Sequence, residues 1–455
     1  MKTADLWQSP KKAMHPKVLM AASVASMIDQ FNMPNIRLMQ QLGYEVHVAC
    51  NFREGNTCDK KRVQKLQTTL KKMKVAMHQW DCPRSVTQIG QCRKAYRQML
   101  CLVKNGQFCW IHCHSPIGGA LVRLAAHQKG VRVIYTAHGF HFYKGAPLQN
   151  WLLYYPVEKL LAHWTHVLVT VNREDFCFAK KHLKPQILRY IPGVGIDIEK
   201  FQGSRKELQD SQKEFQGSRK ELQDSRKQQE TSEAAGCSRK NDSGSYREFC
   251  RTYNIPPGAV VLLSVGELNA GKNHQMVIRA LAQVIKKAGQ MNKTPDICYL
   301  ICGQGEQKKD LQRLADRLGI GGAVRLPGYR ENLQDVYRHA DLFVFPSLRE
   351  GMPVALMEAM AAGLPCIVSD IRGSRELIGP PCHGQPSCMQ GGVRFSLGRG
   401  GQAQLTAALT GLLADEARRR AYGACNQKKM RMYAQERVQN RMYHIYSQMR
   451  EESDA

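Results

Sequence analysis

Short, strand-length apolar runs alternate with longer stretches of helical periodicity almost throughout this chain. That alternation narrows the fold to parallel sheets assembled from βαβ units. Runs at Lys17–Ala22, Glu45–Cys50, Phe108–Cys113, Val131–Ala137, Val167–Val171 and Ile187–Ile191 predict the strands of a first domain over 15–195. A second series at Val260–Val265, Ile297–Cys302, Ala323–Leu326, Asp341–Phe345, Cys366–Ser369 and Val393–Phe395 predicts another over 256–425. At 455 residues the chain is long enough for both to have cores of their own. The expected class is α/β, with the ligand cleft between the domains, at the carboxyl ends of the strands.

Between the two series the pattern breaks. FQGSRKELQDSQKE, starting at Phe201, is followed at Phe215 by FQGSRKELQDSRKQ, a near-perfect 14-residue tandem copy. The low-complexity tract over 201–250 offers few apolar anchors to offset the entropy of ordering. It reads as an insertion tolerated in a surface loop, with a regulatory or partner-binding role as the alternative. After the second series a helical stretch runs from Asp415 to Met449, and its 430–450 portion is expected to pack back on the first domain.

Charge and cysteine content bound the partners. Lys and Arg total 66 against 38 Asp and Glu, a net charge of +28. Such a balance favours an anionic partner: nucleic acid, lipid headgroups or phosphorylated substrates. No helix-turn-helix, RRM or zinc module is recognisable, so nucleic acid is not expected. The 16 cysteines are scattered through apolar runs, as thiols packed in a reducing cytosol are. The N-terminus lacks the apolar core of a secretory signal. No apolar run approaches the roughly 18–20 residues needed to span a bilayer. These features predict a cytoplasmic protein, in peripheral contact with an anionic membrane at its inner face.

The most informative segment is DLFVFPSLREGMPVALMEAMAAGLPCIVSD, residues 341–370. A strand ends near Phe345, a loop carries Glu350 and Gly351, and Pro353 suits the first helical position. The start of this helix can hold a phosphate on the N–H groups of Met352, Val354 and Ala355, while Gly351 lets the backbone approach closely. Glu350 and Glu358 could then bind hydroxyls on either side of that phosphate. On the residues alone, Glu350 could equally complement the helix dipole and Glu358 be a solvated helix residue.

Glu350 and Glu358, seven residues apart within EGMPVALMEAMAAGLP, resemble the paired-glutamate motif of the family 4 retaining glycosyltransferases with the GT-B fold. SVGELNAGKNH, LICGQGEQKKDLQRLADRLGI and LPGYRENLQDVY agree with it. YTAHGFHFYKGAP, NWLLYYPVEKLLA and YIPGVGIDIEKF resemble the bacterial exopolysaccharide and capsule branch of that family. The resemblance implies two Rossmann-like doubly wound domains facing across a cleft. It implies transfer of a sugar from a nucleotide diphosphate donor, a UDP-sugar first, to a hydroxyl of a lipid-linked or polysaccharide acceptor. Neither a cofactor nor a metal is implied. A non-catalytic GT-B-like nucleotide-sugar-binding or scaffold protein is the alternative.

Carried over residue by residue, the resemblance gives Glu350 the hydroxyls of the donor sugar and Glu358 the nucleotide ribose. Lys272 takes the donor diphosphate, a task that suits a point charge. Gly266 and Gly303 permit close approach of the nucleotide, and Arg330 borders the base. His138 faces the donor sugar and acceptor, as a donor to a hydroxyl or a stabiliser of developing charge. Two departures stand out. Glu267 replaces the arginine that often follows Gly266, which leaves Arg349 or Arg330 to compensate. SVASMIDQFNMPNIRLM lacks the double glycine of many relatives, so no first-domain phosphate contact is assigned. As metal sites, the HCHS run at His112 and the group Cys382, His383 and Cys388 are weak candidates.

Overall fold

The computed structural model describes residues 15–55, 59–202, 243–290, 296–379 and 391–454. The tandem repeat beyond Gln202, and Cys382, His383 and Cys388, lie outside them. The chain divides into two compact units, residues 1–194 with 436–455, and residues 195–435.

The first unit holds a seven-stranded parallel sheet of β1 (Lys17–Val24), β2 (Glu45–Asn51), β3 (Ala76–Gln79), β4 (Trp110–His114), β5 (Arg132–Ala137), β6 (Val167–Thr170) and β7 (Ile187–Tyr190). Their order is β3-β2-β1-β4-β5-β6-β7. The second holds β8 (Val260–Val265), β9 (Ile297–Cys302), β10 (Val324–Gly328), β11 (Leu342–Phe345), β12 (Cys366–Ser369) and β13 (Gly392–Phe395), ordered β10-β9-β8-β11-β12-β13. Both sheets are doubly wound. The strand order reverses between β1 and β4, and again between β8 and β11, and such reversals open a ligand crevice at the carboxyl ends. Central strands such as β4 and β9 are buried along their whole length, since helices cover both faces.

Three features differ from what the sequence suggests. β3 is an extra strand at the sheet edge; its four residues are only partly buried, so it leaves no apolar signature. The low-complexity tract ends earlier than residue 250. Ser243–Tyr253 is a helix that buries Phe249 and Cys250, with Tyr246 and Tyr253 on the same face at helical spacing. Pro353 precedes its helix instead of opening it. Its extended backbone caps Val354–Ala361, so Val354 is the first helical residue.

The terminal helix Gln435–Asp454 packs on the first unit, burying Met442, Tyr446 and Met449. Tyr446 stacks on Trp110 with ring centroids 5.4 Å apart. Near the helix end, the Glu452 carboxylate lies 2.8 Å from His166 Nε2 and 3.4 Å from Arg132 Nη1.

A buried ion pair ties two helices of the first unit together. Arg123, on Pro116–Gln128, is wholly buried and donates to both carboxylate oxygens of Glu158, on Leu148–Ala162, at 2.6 and 3.0 Å. Its Nε donates to the Gly119 carbonyl, and its guanidinium lies 3.9 Å from the centre of the Tyr135 ring. The pair is fully hydrogen-bonded, the condition under which a buried charge is tolerated.

Candidate active site

In the second unit, the loops that leave β8 and β11 meet at the strand reversal. The β8 loop carries a short turn, Ala270–Lys272, capped by Asn269, whose side chain accepts from the Lys272 N–H at 3.1 Å. The β11 loop is pinned to it by the Leu348 N–H, which donates to the Gly271 carbonyl at 2.8 Å. This brings Lys272 Nζ to 2.5 Å from Glu350 Oε1. Both side chains remain partly exposed, so the pair faces solvent while held in place. Lys272 also lies over the Phe345 ring at 5.6 Å.

The Glu350–Gly351 backbone is clamped from a third side. Arg372, opening the helix Arg372–Ile378 after β12, donates from Nε to the Glu350 carbonyl at 3.2 Å. A Cβ on Gly373 would come within 2.7 Å of the Gly351 carbonyl oxygen. Behind this loop the first intrahelical bond is Met357 N–H to the Pro353 carbonyl, so the N–H groups of Val354, Ala355 and Leu356 have no acceptor in the helix. The Met352 N–H lies ahead of the first turn, in the loop itself.

Glu358 sits in the second turn and is half-buried, not solvated. Burial raises its pKa, and a hydrogen bond from the Tyr337 hydroxyl at 2.9 Å partly offsets that shift. Tyr337 is wholly buried and thus fixes the carboxylate. Tyr337 and Arg372 are the supporting residues that motif reading missed. Tyr337 closes the LPGYRENLQDVY segment, where it carries no assigned role, and Arg372 shows only as a cation just past a strand end.

At the end of β9, the Gly303 backbone passes so close to the β8 loop that a Cβ there would lie 1.7 Å from the Gly266 carbonyl oxygen. No side chain fits, and the clash is with backbone. Gly303→Ala is expected to cost about 1–3 kcal/mol through strain, with the upper end anticipated. Equilibrium urea unfolding of the variant checks this.

Glu267 is not a vacant substitute for a cation. Its carboxylate accepts from Asn269 Nδ2 at 2.8 Å, and so braces the residue that caps the Lys272 turn. Arg349 is exposed, and Arg330 lies over the Tyr253 ring at 5.7 Å.

His138 belongs to the first unit, where it follows β5. His114 Nδ1 lies 3.0 Å from His138 Nε2, and His114 Nε2 lies 3.1 Å from Met20 Sδ. A thioether can only accept, so the His114 proton sits on Nε2. His114 Nδ1 then accepts, and His138 donates to it from Nε2. His138 therefore presents Nδ1 as an acceptor. His112, beside them, meets the Tyr446 hydroxyl and Thr136 Oγ1, each at 2.8 Å. All three histidines hold their protons weakly because burial disfavours the imidazolium: His112 is pushed down to about 3, His138 to about 4, and His114 well below the usual value. The two histidines of the HCHS run, His112 and His114, are thus committed to hydrogen bonds within the core. In SVASMIDQFNMPNIRLM the first two residues end β1, and the rest lies in successive helical segments that run from Ala25 to Gln41.

This chemistry has a consequence for stability. His112 and His274 are almost wholly buried, with His274 lowered to about 4 by burial first and by Lys272 second. Depressed folded-state values mean that the unfolded chain binds these protons first, below about pH 6.5. Stability is full above that pH and falls as pH drops toward 4. Each of the two contributes about 1.4 kcal/mol per pH unit around pH 5. Urea midpoints measured from pH 7.5 to 5 are expected to be flat at first and then to fall.

Two family models match the chain: "Glycosyl transferase 4-like" over residues 17–171 and "Glycosyl transferases group 1" over residues 246–428. The putative glycosyltransferase EpsD of Bacillus subtilis is 32% identical over 369 residues, covering 80% of this chain and 81% of the relative. An Escherichia coli UDP-Gal:alpha-D-GlcNAc-diphosphoundecaprenol alpha-1,3-galactosyltransferase is 29% identical, over 61% of this chain and 62% of the relative. Among solved structures, Anabaena HepE in complex with UDP and glucose matches with a TM-score of 0.66 at 14% identity, covering 95% of this chain and 100% of that one. WaaG, a glycosyltransferase involved in lipopolysaccharide biosynthesis, matches at 0.63 and 16% identity, covering 94% and 99%. With two doubly wound sheets, matches in both units and a relative 32% identical over 80% of this chain, the chain belongs to the family 4 glycosyltransferases of GT-B fold.

Proposed function

We propose that this glycosyltransferase moves a sugar from a nucleotide diphosphate donor, a UDP-sugar first, to a hydroxyl of a lipid-linked glycan, with the anomeric configuration retained. The observation that carries the reading is the Lys272–Glu350 pair, held by two loops at the β8/β11 reversal. In this reading Lys272 takes the donor diphosphate. As the glycosidic bond breaks, negative charge grows on the leaving phosphate, and Lys272 with the N–H groups of Val354 and Ala355 stabilises it. Glu350 receives donor-sugar hydroxyls, and Glu358, fixed by Tyr337, receives the ribose hydroxyls. His138 Nδ1 accepts a hydrogen bond from a sugar hydroxyl. Positive charge on the sugar ring is met by Glu350. The role of the departing phosphate is to take the proton of the attacking hydroxyl on the same face.

A metal ion has no part in this scheme, because a lysine and backbone donors meet the diphosphate charge. Kinship with an enzyme named for a diphosphoundecaprenol-linked acceptor supports a lipid-diphosphate glycan as the acceptor here, in exopolysaccharide or capsule synthesis at the cytoplasmic membrane face. Purified protein incubated with a panel of nucleotide sugars and membrane lipid extract tests the proposal. Nucleotide release that requires lipid, together with a glycosylated lipid product, is the expected result and identifies the donor. Nucleotide binding without turnover across all donors and acceptors would favour a scaffold instead.

A further inference from the structure

The helix Leu148–Ala162 is apolar on its outer face as well as its inner one. A surface helix ordinarily buries its apolar stripe and shows water its charges. Here the inner face buries Leu161 and Ala162 together with Glu158, which is paired with Arg123, while Leu148, Leu152, Leu153, Val157 and Leu160 are 48–72% exposed. At their spacing Leu152, Leu153, Val157 and Leu160 share one face, and Pro156 between them is exposed as well. The patch continues onto Val86, just before the helix Ile89–Gly106, and the first residue of that helix is exposed too. Val86 lines one apolar pocket with Leu153 and Val157, and Ile89 is 76% exposed. Soluble monomers rarely leave contiguous apolar surface of this kind uncovered.

The rim of the patch is basic. Lys159 stands on the helix itself and Lys144 precedes it, while Arg84 and Arg93 flank Val86 and Ile89; all four are exposed. The whole chain carries +28. Apolar side chains flanked by Lys and Arg are what an interfacial helix offers to an anionic bilayer, the former entering the acyl boundary and the latter meeting headgroup phosphates. A second copy of the chain fits less well. A two-fold contact sets the same patch against itself, bringing these like charges together.

We propose that this face, centred on Leu152 and Leu160, docks the protein on an anionic lipid bilayer. The inference rests on the proposed lipid-linked acceptor only for its purpose, since vesicle binding is measured without any turnover. The probe is sedimentation with vesicles of phosphatidylcholine alone or mixed with phosphatidylglycerol. Wild type is expected to bind the mixed vesicles, less tightly as salt rises. L152Q/L160Q, altered only at exposed positions, is expected to lower the partition coefficient at least tenfold with an unchanged melting curve. The charge reversal K144E/K159E is expected to lower binding to mixed vesicles only. Equal binding by wild type and L152Q/L160Q would overturn the proposal, as would no binding by wild type. A wild-type dimer in sedimentation velocity that L152Q/L160Q converts to monomer would also overturn it, by assigning the face to self-association. If vesicles bind but no donor is turned over, docking stands and the transferase reading fails.

Discussion

Lys272→Ala is expected to lower kcat/KM for glycosyl transfer by about 10²–10³, the size of effect seen when one donor to a developing negative charge is removed. The reason is geometric. Lys272 is fixed by the Asn269 cap and by the turn against Leu348, so its charge is in place before the leaving phosphate needs it. Because the diphosphate is charged in the ground state too, part of the loss is expected in donor affinity and the rest in kcat. Lys272→Arg would keep the charge while changing its shape, and a bulkier fork does not fit the place of a point charge equally well. Partial activity is therefore expected. Steady-state kinetics at varied donor concentration separates the two components. An unchanged kcat/KM in Lys272→Ala would remove this lysine from the donor site.

Glu158→Ala is the substitution expected to cost the most stability, about 3–5 kcal/mol. Deletion of the carboxylate leaves the Arg123 guanidinium wholly buried and facing the aromatic ring of Tyr135 without its countercharge. For a unit of this size that corresponds to a fall in melting temperature of roughly 10 °C. The double variant Arg123→Met/Glu158→Leu is expected to recover much of the loss, because buried pairs replaced together by apolar groups often cost little. Thermal melts of the single and double variants check this. If the single and double variants lost the same stability, the cost would come from packing alone and not from the stranded charge.

How far the sequence disclosed this molecule depended on where each residue's signal comes from. Strands such as β6 and β9 are buried throughout, and an unbroken apolar run is visible in one dimension. β3 lies at a sheet edge with its residues half-buried, so His78 and Gln79 conceal it. The EGMPVALME segment named Glu350, Glu358 and Gly351 because loop, helix start and both carboxylates are contiguous in the chain. The roles of Tyr337, the last residue of LPGYRENLQDVY, and of Arg372 were not legible, since they meet Glu358 and the Glu350 carbonyl across 21 and 22 residues of chain that no local pattern spans. The tautomer of His138 depends on Met20, more than a hundred residues away, and no local pattern records that contact. Nor was the exposed apolar face of the helix Leu148–Ala162 evident. Its residues are apolar on both faces, so periodicity alone could not say which face meets water.

The most direct measurement of the central claim is lipid-dependent nucleotide release by wild type and by Glu350→Ala, run side by side with calorimetric titration of UDP. The account predicts that Glu350→Ala folds and still binds UDP through Lys272 and Glu358, but loses at least a hundredfold in transfer, since transition-state contacts of this kind are worth that much. Transfer at the wild-type rate in Glu350→Ala would contradict it, and would move the chemistry away from the β8/β11 loops.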